Sequence, residues 1–350
     1  MNNNVGVFPV FVFFNILLGL GLSLVLGWAA IAFARRVGLM DIPGSLPHKT
    51  HGAPTALAGG ITLVLALTIG GLIFNFSMMR SLWNIFVPTA IVFLVGLWDD
   101  FRRLPAWIKL VGQVAASIVL ISLGTTIHFV PHHFLGLLPE RTNLLADWLI
   151  TLFWMVGITN AFNFVDSMDG LVVGLSGIAI SFLVLVTIGS PQVELLRLLT
   201  LMLGICAGLF FLNITPAHLF LGDSGAQTMG FLLAAIGILY TPPNYPQASS
   251  WFLPIIVLCV PIFDTCLVVF SRLRRRMPIY QAERNHTYHR LVDRGMDTTR
   301  AVITMQLAAI VLGCLAFIAL NLQPLYSNLL FGLICLAGLA ALVFLEKEAA

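Results

Sequence analysis

The chain has 350 residues, of which 59% are hydrophobic and 9% charged, with a mean hydropathy of +0.98. An ordinary soluble domain is about 45–50% apolar and about 25% charged. A soluble single-core enzyme, a disordered chain and a fibre are therefore excluded, and a net charge of +3 is too small to mark a nucleic-acid partner.

A membrane span needs roughly 20 mostly apolar residues. Segments of that kind run over 8–34, 56–76, 83–98, 107–123, 147–163, 171–189, 195–213, 225–241, 251–271, 302–320 and 325–345. The third and eighth are short. The expectation is an all-α integral membrane protein, a polytopic bundle of ten or eleven helices forming one domain over 1–350. The first segment does not read as a cleaved signal peptide: no Lys or Arg precedes it, and Arg35 and Arg36 follow it. The five cysteines all fall in apolar stretches and read as small buried hydrophobes.

Lys and Arg collect in loops on the cytoplasmic side. With the N-terminus outside and eleven alternating spans, 15 of the 18 Lys and Arg lie inside. The inner loops then fall near 35–56, 99–109, 160–170, 213–225 and 272–300. Asp99, Asp100, Asp166, Asp169, Asp223 and Asp264 all lie at inner ends of spans or in those loops. Acids within spans are expensive, so six near one face suggest a common task. The longest outer loop, 124–146, holds His128, His132 and His133 among apolar residues, and reads as an interfacial loop.

Four inner segments carry the chemistry. In GLWDDFRRLP, 96–105, Asp99 and Asp100 end an apolar span and point about 100° apart on a helix. In NAFNFVDSMDG, 160–170, Asn160, Asn163, Asp166 and Asp169 recur every third residue and would share a helix face. In NITPAHLFLGDSGAQTMG, 213–230, Gly222 and Gly225 flank Asp223. Backbone N–H groups there could meet a phosphate where the next helix begins. In ERNHTYHRLVDRG, 283–295, His286 and His289 stand among Arg284, Arg290 and Arg294. That positive charge favours an anion such as a diphosphate over zinc. Each segment alone also admits a structural reading: a capped helix end, a polar helix–helix seam, a turn, a solvated basic loop. Together, clustered carboxylates suit Mg²⁺, which binds through one or two carboxylates plus substrate phosphates. Arg and His supply further neutralisation. The residues by themselves reach metal-assisted phosphoryl transfer at a membrane surface.

In this order and spacing, the four segments resemble the polyprenyl-phosphate N-acetylhexosamine-1-phosphate transferases. This is the group of glycosyltransferase family 4 that includes the phospho-N-acetylmuramoyl-pentapeptide transferases. GLMDIPGSLPHKTHGAPTALAGG, 38–60, is similar to the family's first inner loop, and the basic loop is closer to the GlcNAc-type branch. The resemblance implies an active site on the cytoplasmic face. Asp99 and Asp100 match the paired aspartates that handle the lipid phosphate, and Asp223 the magnesium-binding aspartate. Asp166 and Asp169 match the D-x-x-D-G acids. Asp169, Asn213 and Phe220 are similar to uracil-holding positions, and Asn163 to an amide lining that pocket. His286 and His289 match outer histidines of an H-x-H-H motif near the diphosphate and sugar, with Arg284 beside them. Asp264 matches a buried family acid.

The resemblance further implies a Mg²⁺ (or Mn²⁺) cofactor, a UDP-N-acetylsugar donor, undecaprenyl phosphate as acceptor, the bacterial inner membrane and a homodimer. The implied product starts a lipid-linked envelope glycan such as an O-antigen. Tyr288 and Ser167 depart from the family pattern, and the stretch between Asp41 and His51 is two residues longer than the family's. Tyr288 and the altered first loop leave the sugar open among GlcNAc, QuiNAc, FucNAc and MurNAc-pentapeptide. A transporter is the reading from another class. The lack of an internal repeat and the confinement of acids to one face oppose it.

Overall fold

The computed structural model describes residues 7–42, 54–128, 140–241, 250–277 and 286–347. Helix α1 (Val7–Val37) is followed by strands β1 (Met40–Asp41) and β2 (Thr55–Leu57). Helix α2 (Gly59–Ile69) runs into one π-helical turn (Gly70–Phe74), then α3 (Phe76–Ser81), α4 (Trp83–Arg102) and α5 (Ala106–Ser122). After α6 (Glu140–Val165), α7 (Leu171–Thr187) and α8 (Val193–Asn213) come strand β3 (Leu219–Phe220) and α9 (Gly222–Leu239). The described chain ends with α10 (Leu253–Val257), α11 (Cys259–Arg274), α12 (Thr287–Asp293), α13 (Thr298–Leu320) and α14 (Pro324–Lys347).

Every apolar segment is mainly helical, the second beginning in β2, and the protein is a multi-pass membrane protein. Among the described residues, six helices have the length and apolarity to cross a membrane: α1, α4, α6, α8, α13 and α14. The third and eighth segments are longer than their apolar runs. They extend to Arg102 and back to Gly222, because the acids Asp99, Asp100 and Asp223 are themselves helical.

Breaks follow local chemistry. Arg103 closes α4 in the left-handed region, and Pro105 precedes α5 with a φ that suits a helix start. Gly170, at φ +73°, separates α6 from α7. Leu258 divides the ninth segment into α10 and α11.

Helix α8 lies at the centre and is the most buried of these six helices, whereas α14 is the least buried. Its main neighbours are α1 and α7, while α9 packs on α4, α6 and α2. Small residues set those distances, as close helix approach in a membrane requires. A Cβ on Gly96 of α4 would lie 2.6 Å from the Ser224 Cα, and one on Gly225 2.9 Å from the Gly60 nitrogen. Large apolar side chains such as Phe153 and Leu149 face outward, where a membrane supplies apolar solvent. The cysteine expectation holds for buried Cys206, whereas Cys266, Cys314 and Cys335 are exposed on helix surfaces. A polarizable thiol is tolerated on a face that meets lipid.

One small sheet interrupts the helices. Strand β2 pairs antiparallel with β1 and parallel with β3, Ala56 opposite Leu219 and Leu57 opposite Phe220. It fastens the segment before α2 to the segment before α9.

Candidate active site

The C-terminal ends of α4, α6 and α8 meet the N-terminal ends of α9 and α13 around a cavity of about 960 Å³. Six aspartates line it: Asp41, Asp99, Asp100, Asp166, Asp169 and Asp223. Asn163, Asn213, Phe220 and Arg103 line it too. Residues spread over more than 180 positions are thus brought to one face of the bundle.

The two adjacent aspartates diverge, as their helical positions demand. Asp99 is buried and turns toward the α4–α5 junction. It accepts from the Leu104 backbone N–H and from the Lys109 ammonium, Nζ to Oδ2 3.1 Å. Asp100 turns toward α9. It accepts from the N–H of Asp223 at 2.7 Å, the N–H of Ser224 at 3.2 Å and the Ser224 hydroxyl at 2.5 Å. The N–H groups read from sequence as a phosphate cradle are therefore occupied from within. A carboxylate suits a helix N-terminus because it answers both the free donors and the helix dipole. The same contact explains Gly222: its φ is +69°, and a Cβ there would lie 2.8 Å from both Asp100 oxygens.

Lys109 is the residue whose role the sequence reading missed. Its Nζ lies 3.1 Å from Asp99 and 3.2 Å from Asp223, bridging α4 and α9. The available signal was a lone cation three residues inside an apolar helix, a costly placement without carboxylate partners. The Asn163 side-chain amide donates to the other Asp223 oxygen. Behind this layer Gln113 of α5 bonds Gln227 of α9 at 2.9 Å and Asn160 of α6 at 2.6 Å. This seam ties together the three helices that surround Asp223.

The polar stripe over 160–169 is only half helical. Helix α6 stops at Val165, and Asp166 and Asp169 stand on the turn that follows. The left-handed Gly170 requires that turn. Asn213 holds it: Oδ1 accepts from the Gly170 N–H at 3.0 Å and Nδ2 donates to the Leu219 carbonyl at 2.8 Å. Gln306 of α13 donates to the Gly170 carbonyl at 3.0 Å, and Thr215 donates to Asp169 at 3.1 Å. Both polar groups of the Asn213 amide are thus taken, so Asn213 shapes the cavity wall. Burial holds the Asp166 carboxyl well above the usual carboxylate range, and the nearby charges of Asp223, Asp100 and Asp169 push it the same way.

The histidine segment stands apart. His286 and His289 are not among the residues lining the cavity. His286 Nδ1 lies 2.8 Å from Oδ2 of the fully buried Asp264, and the Thr287 N–H donates to Oδ1 at 2.6 Å. His289 packs on Tyr288 with ring centroids 4.0 Å apart. Arg290 and Arg294, read as anion binders, are engaged by α14 instead, through Leu345, Glu346 and Phe344. Arg284 lies outside the described residues, as do His132, His133 and residues 43–53 of the first inner loop.

Among the described residues, no three His, Cys, Asp or Glu side chains gather into a metal cage. Two carboxylate oxygens, from Asp99 and Asp223, nevertheless converge on one cation, the Lys109 ammonium. Hard oxygen donors of this number fit Mg²⁺, whose remaining positions are commonly filled by water and substrate phosphate.

Residues 82–241 match the family model described as Glycosyl transferase family 4. A protein of Bacillus subtilis named as a probable undecaprenyl-phosphate N-acetylglucosaminyl 1-phosphate transferase is 29% identical over 81% of this chain and 78% of its own length. A decaprenyl-phosphate N-acetylglucosaminephosphotransferase of Mycobacterium tuberculosis is 28% identical over 90% and 84%. A phospho-N-acetylmuramoyl-pentapeptide-transferase of Lactobacillus gasseri is 30% identical over 56% and 64%. The matched span holds five of the six cavity-lining aspartates, all but Asp41. Over residues 82–241 the chain is similar to glycosyl transferase family 4, and over most of its length to polyprenyl-phosphate N-acetylglucosamine-phosphate transferases.

Proposed function

We propose that this protein transfers an N-acetylhexosamine-1-phosphate, GlcNAc-1-phosphate first, from a UDP-sugar to undecaprenyl phosphate. It releases UMP and starts a lipid-linked envelope glycan. The observation that carries this reading is the convergence of six aspartates, two of them bridged by Lys109, on one cavity at a common end of membrane helices. Such a cavity can receive a soluble nucleotide sugar and a lipid phosphate at the same surface. The names of the B. subtilis and M. tuberculosis relatives support the polyprenyl acceptor and the GlcNAc donor group. The positive-inside pattern supports a cytoplasmic cavity, an N-terminus outside and the inner membrane of a bacterium.

An acceptor phosphate oxygen attacks the β-phosphorus of the donor. A P–O bond forms there, the bond to the α-phosphate bridge breaks, and UMP leaves with the electron pair. A phosphate monoester has a second pKa near 6, so most of the acceptor is a dianion at pH 7 and little proton transfer is required. The work left to the chain is positioning and charge compensation. Lys109 offsets the charge of Asp99 and Asp223, which would otherwise repel a phosphate dianion. Asn163 and Asp100 fix Asp223 from its side chain and its backbone. Asp223 would hold Mg²⁺, which when bound supplies charge stabilisation of the diphosphate and the leaving UMP. Phe220 offers an aromatic face, and Asp169 a carboxylate, on the wall where a uracil would fit.

The test is UMP release by purified protein in detergent with undecaprenyl phosphate, Mg²⁺ and a panel of UDP-sugars. Lipid- and Mg²⁺-dependent release, abolished by Asp223→Asn, is the expected result, and the best donor identifies the sugar. No release from folded protein across the panel would overturn the reading.

A further inference from the structure

Helix α12 has seven residues, too few to hold a helical form by itself in water. Its two ends are fastened to different helices. At the start, Asp264 of α11 accepts from the Thr287 N–H and pairs with His286. At the end, the last turn of α14 takes over. Arg290 is 5% exposed; its Nη1 donates to the Leu345 carbonyl at 2.8 Å and its Nη2 lies 2.8 Å from Glu346 Oε2. The Arg294 Nη2 lies 3.4 Å from the Phe344 carbonyl and its guanidinium 4.6 Å from the centre of the Phe344 ring. Arg274 of α11 approaches Glu346 Oε1 at 3.6 Å. Three arginines thus meet the C-terminal carbonyls of α14, where a helix leaves acceptors unsatisfied and its dipole is negative.

We propose that the last turn of α14, through Glu346, clasps α12 and thereby positions the wall of the catalytic cavity. The path is short. Only four residues, Arg294 to Asp297, separate α12 from α13, and the two helices pack together. The first turns of α13 present Thr298, Thr299 and Val302 to the cavity, and its Gln306 holds the Gly170 carbonyl of the aspartate turn. Glu346 is buried to 3% exposure, and Arg290 is its closest cationic partner. Removing one member of a buried ion pair leaves the other charge uncompensated. Loss of Glu346 would therefore release α12 and let the start of α13 drift. Glu346 is a positioning residue and touches no substrate. Its proposed effect on turnover rests on the transferase reading, while the clasp itself does not.

The experiment compares wild type, Glu346→Ala, Glu346→Asp and Arg274→Ala in detergent, by amide hydrogen exchange and by UMP release. Expected for Glu346→Ala is faster exchange, by about tenfold or more, confined to 287–293 and the first turns of α13. The KM for the UDP-sugar rises several-fold and kcat changes less. Glu346→Asp recovers part of both, and Arg274→Ala, whose side chain is 48% exposed, changes exchange little. Unchanged exchange in 287–293, or acceleration spread evenly over the chain, overturns the clasp. If Glu346→Ala does not accumulate as folded protein, Glu346→Asp is judged by the same exchange pattern. A wild type that releases no UMP sinks the transferase reading, and hydrogen exchange still decides the clasp.

Discussion

The carboxylate of Asp100 caps the helix that begins beside Asp223: its Oδ1 accepts the Asp223 N–H at 2.7 Å. Asp100 also takes the Ser224 hydroxyl and N–H, so its oxygens already serve protein donors. Asp100→Ala is expected to lower stability by about 1–2 kcal/mol, the usual cost of losing an N-cap side chain, and to lower UMP release. Asp100→Asn keeps an acceptor and is expected to retain more of both. Thermal unfolding and UMP release measured together decide the matter. Equal stability of the two variants with equal loss of activity would mean that Asp100 acts on substrate rather than on α9.

Lys109 stands between two carboxylates that would otherwise repel each other and any incoming phosphate. Lys109→Met keeps the aliphatic stem and removes the charge. Turnover is expected to fall by about 10²-fold, comparable to the loss of one electrostatic stabiliser in other enzymes. Lys109→Arg is expected to retain part of the rate, since the charge persists in a different shape. Full activity in Lys109→Met at saturating donor and lipid would remove Lys109 from the mechanism.

Burial and neighbouring charge raise the Asp166 carboxyl in the folded chain. Below about pH 4, the ordinary Asp value, folded and unfolded chains are both protonated there and stability is unaffected. As pH rises, the unfolded chain ionises first, and stability is lost until the folded group ionises too. Asp166→Asn removes that loss. The variant is expected to unfold at a higher temperature than wild type at pH 7.5, with the difference shrinking toward pH 4.5. A constant difference across that range would contradict the raised value.

Asn213 is buried and joins the aspartate turn to β3 through two hydrogen bonds. Asn213→Ala leaves the Gly170 N–H and the Leu219 carbonyl without that partner. The expected cost is about 1–3 kcal/mol, with a raised KM for the UDP-sugar because Asp169 and Phe220 flank the two anchored points. Wild-type KM in a destabilised variant would confine Asn213 to the fold.

The amino-acid sequence by itself determined the class of protein and marked the aspartates that the fold gathers on one cavity. Apolar runs long enough to span a bilayer leave a chain few options, because hydrocarbon forces backbone groups to pair within each segment. Helices were therefore legible at every one of the eleven segments. The aspartates were legible for a related reason: a charge in so apolar a chain is costly, so Asp99, Asp100, Asp166, Asp169 and Asp223 stood out against their surroundings.

What each polar group does was decided only by the tertiary structure. Asp99 and Asp100 are neighbours in sequence, yet one answers Lys109 and the other caps α9. Asn160 and Asn163 share a helix with each other but not with Asp166, because Gly170 requires a turn where periodicity continued the stripe. Arg290 carries the same charge in either reading, and only its burial against Glu346 directs it to protein rather than to an anion. Helical spacing is local and can be read along the chain. A hydrogen bond across 123 positions, such as Asp100 to Asp223, exists only once packing at Gly96 and Gly222 brings the two helices within reach.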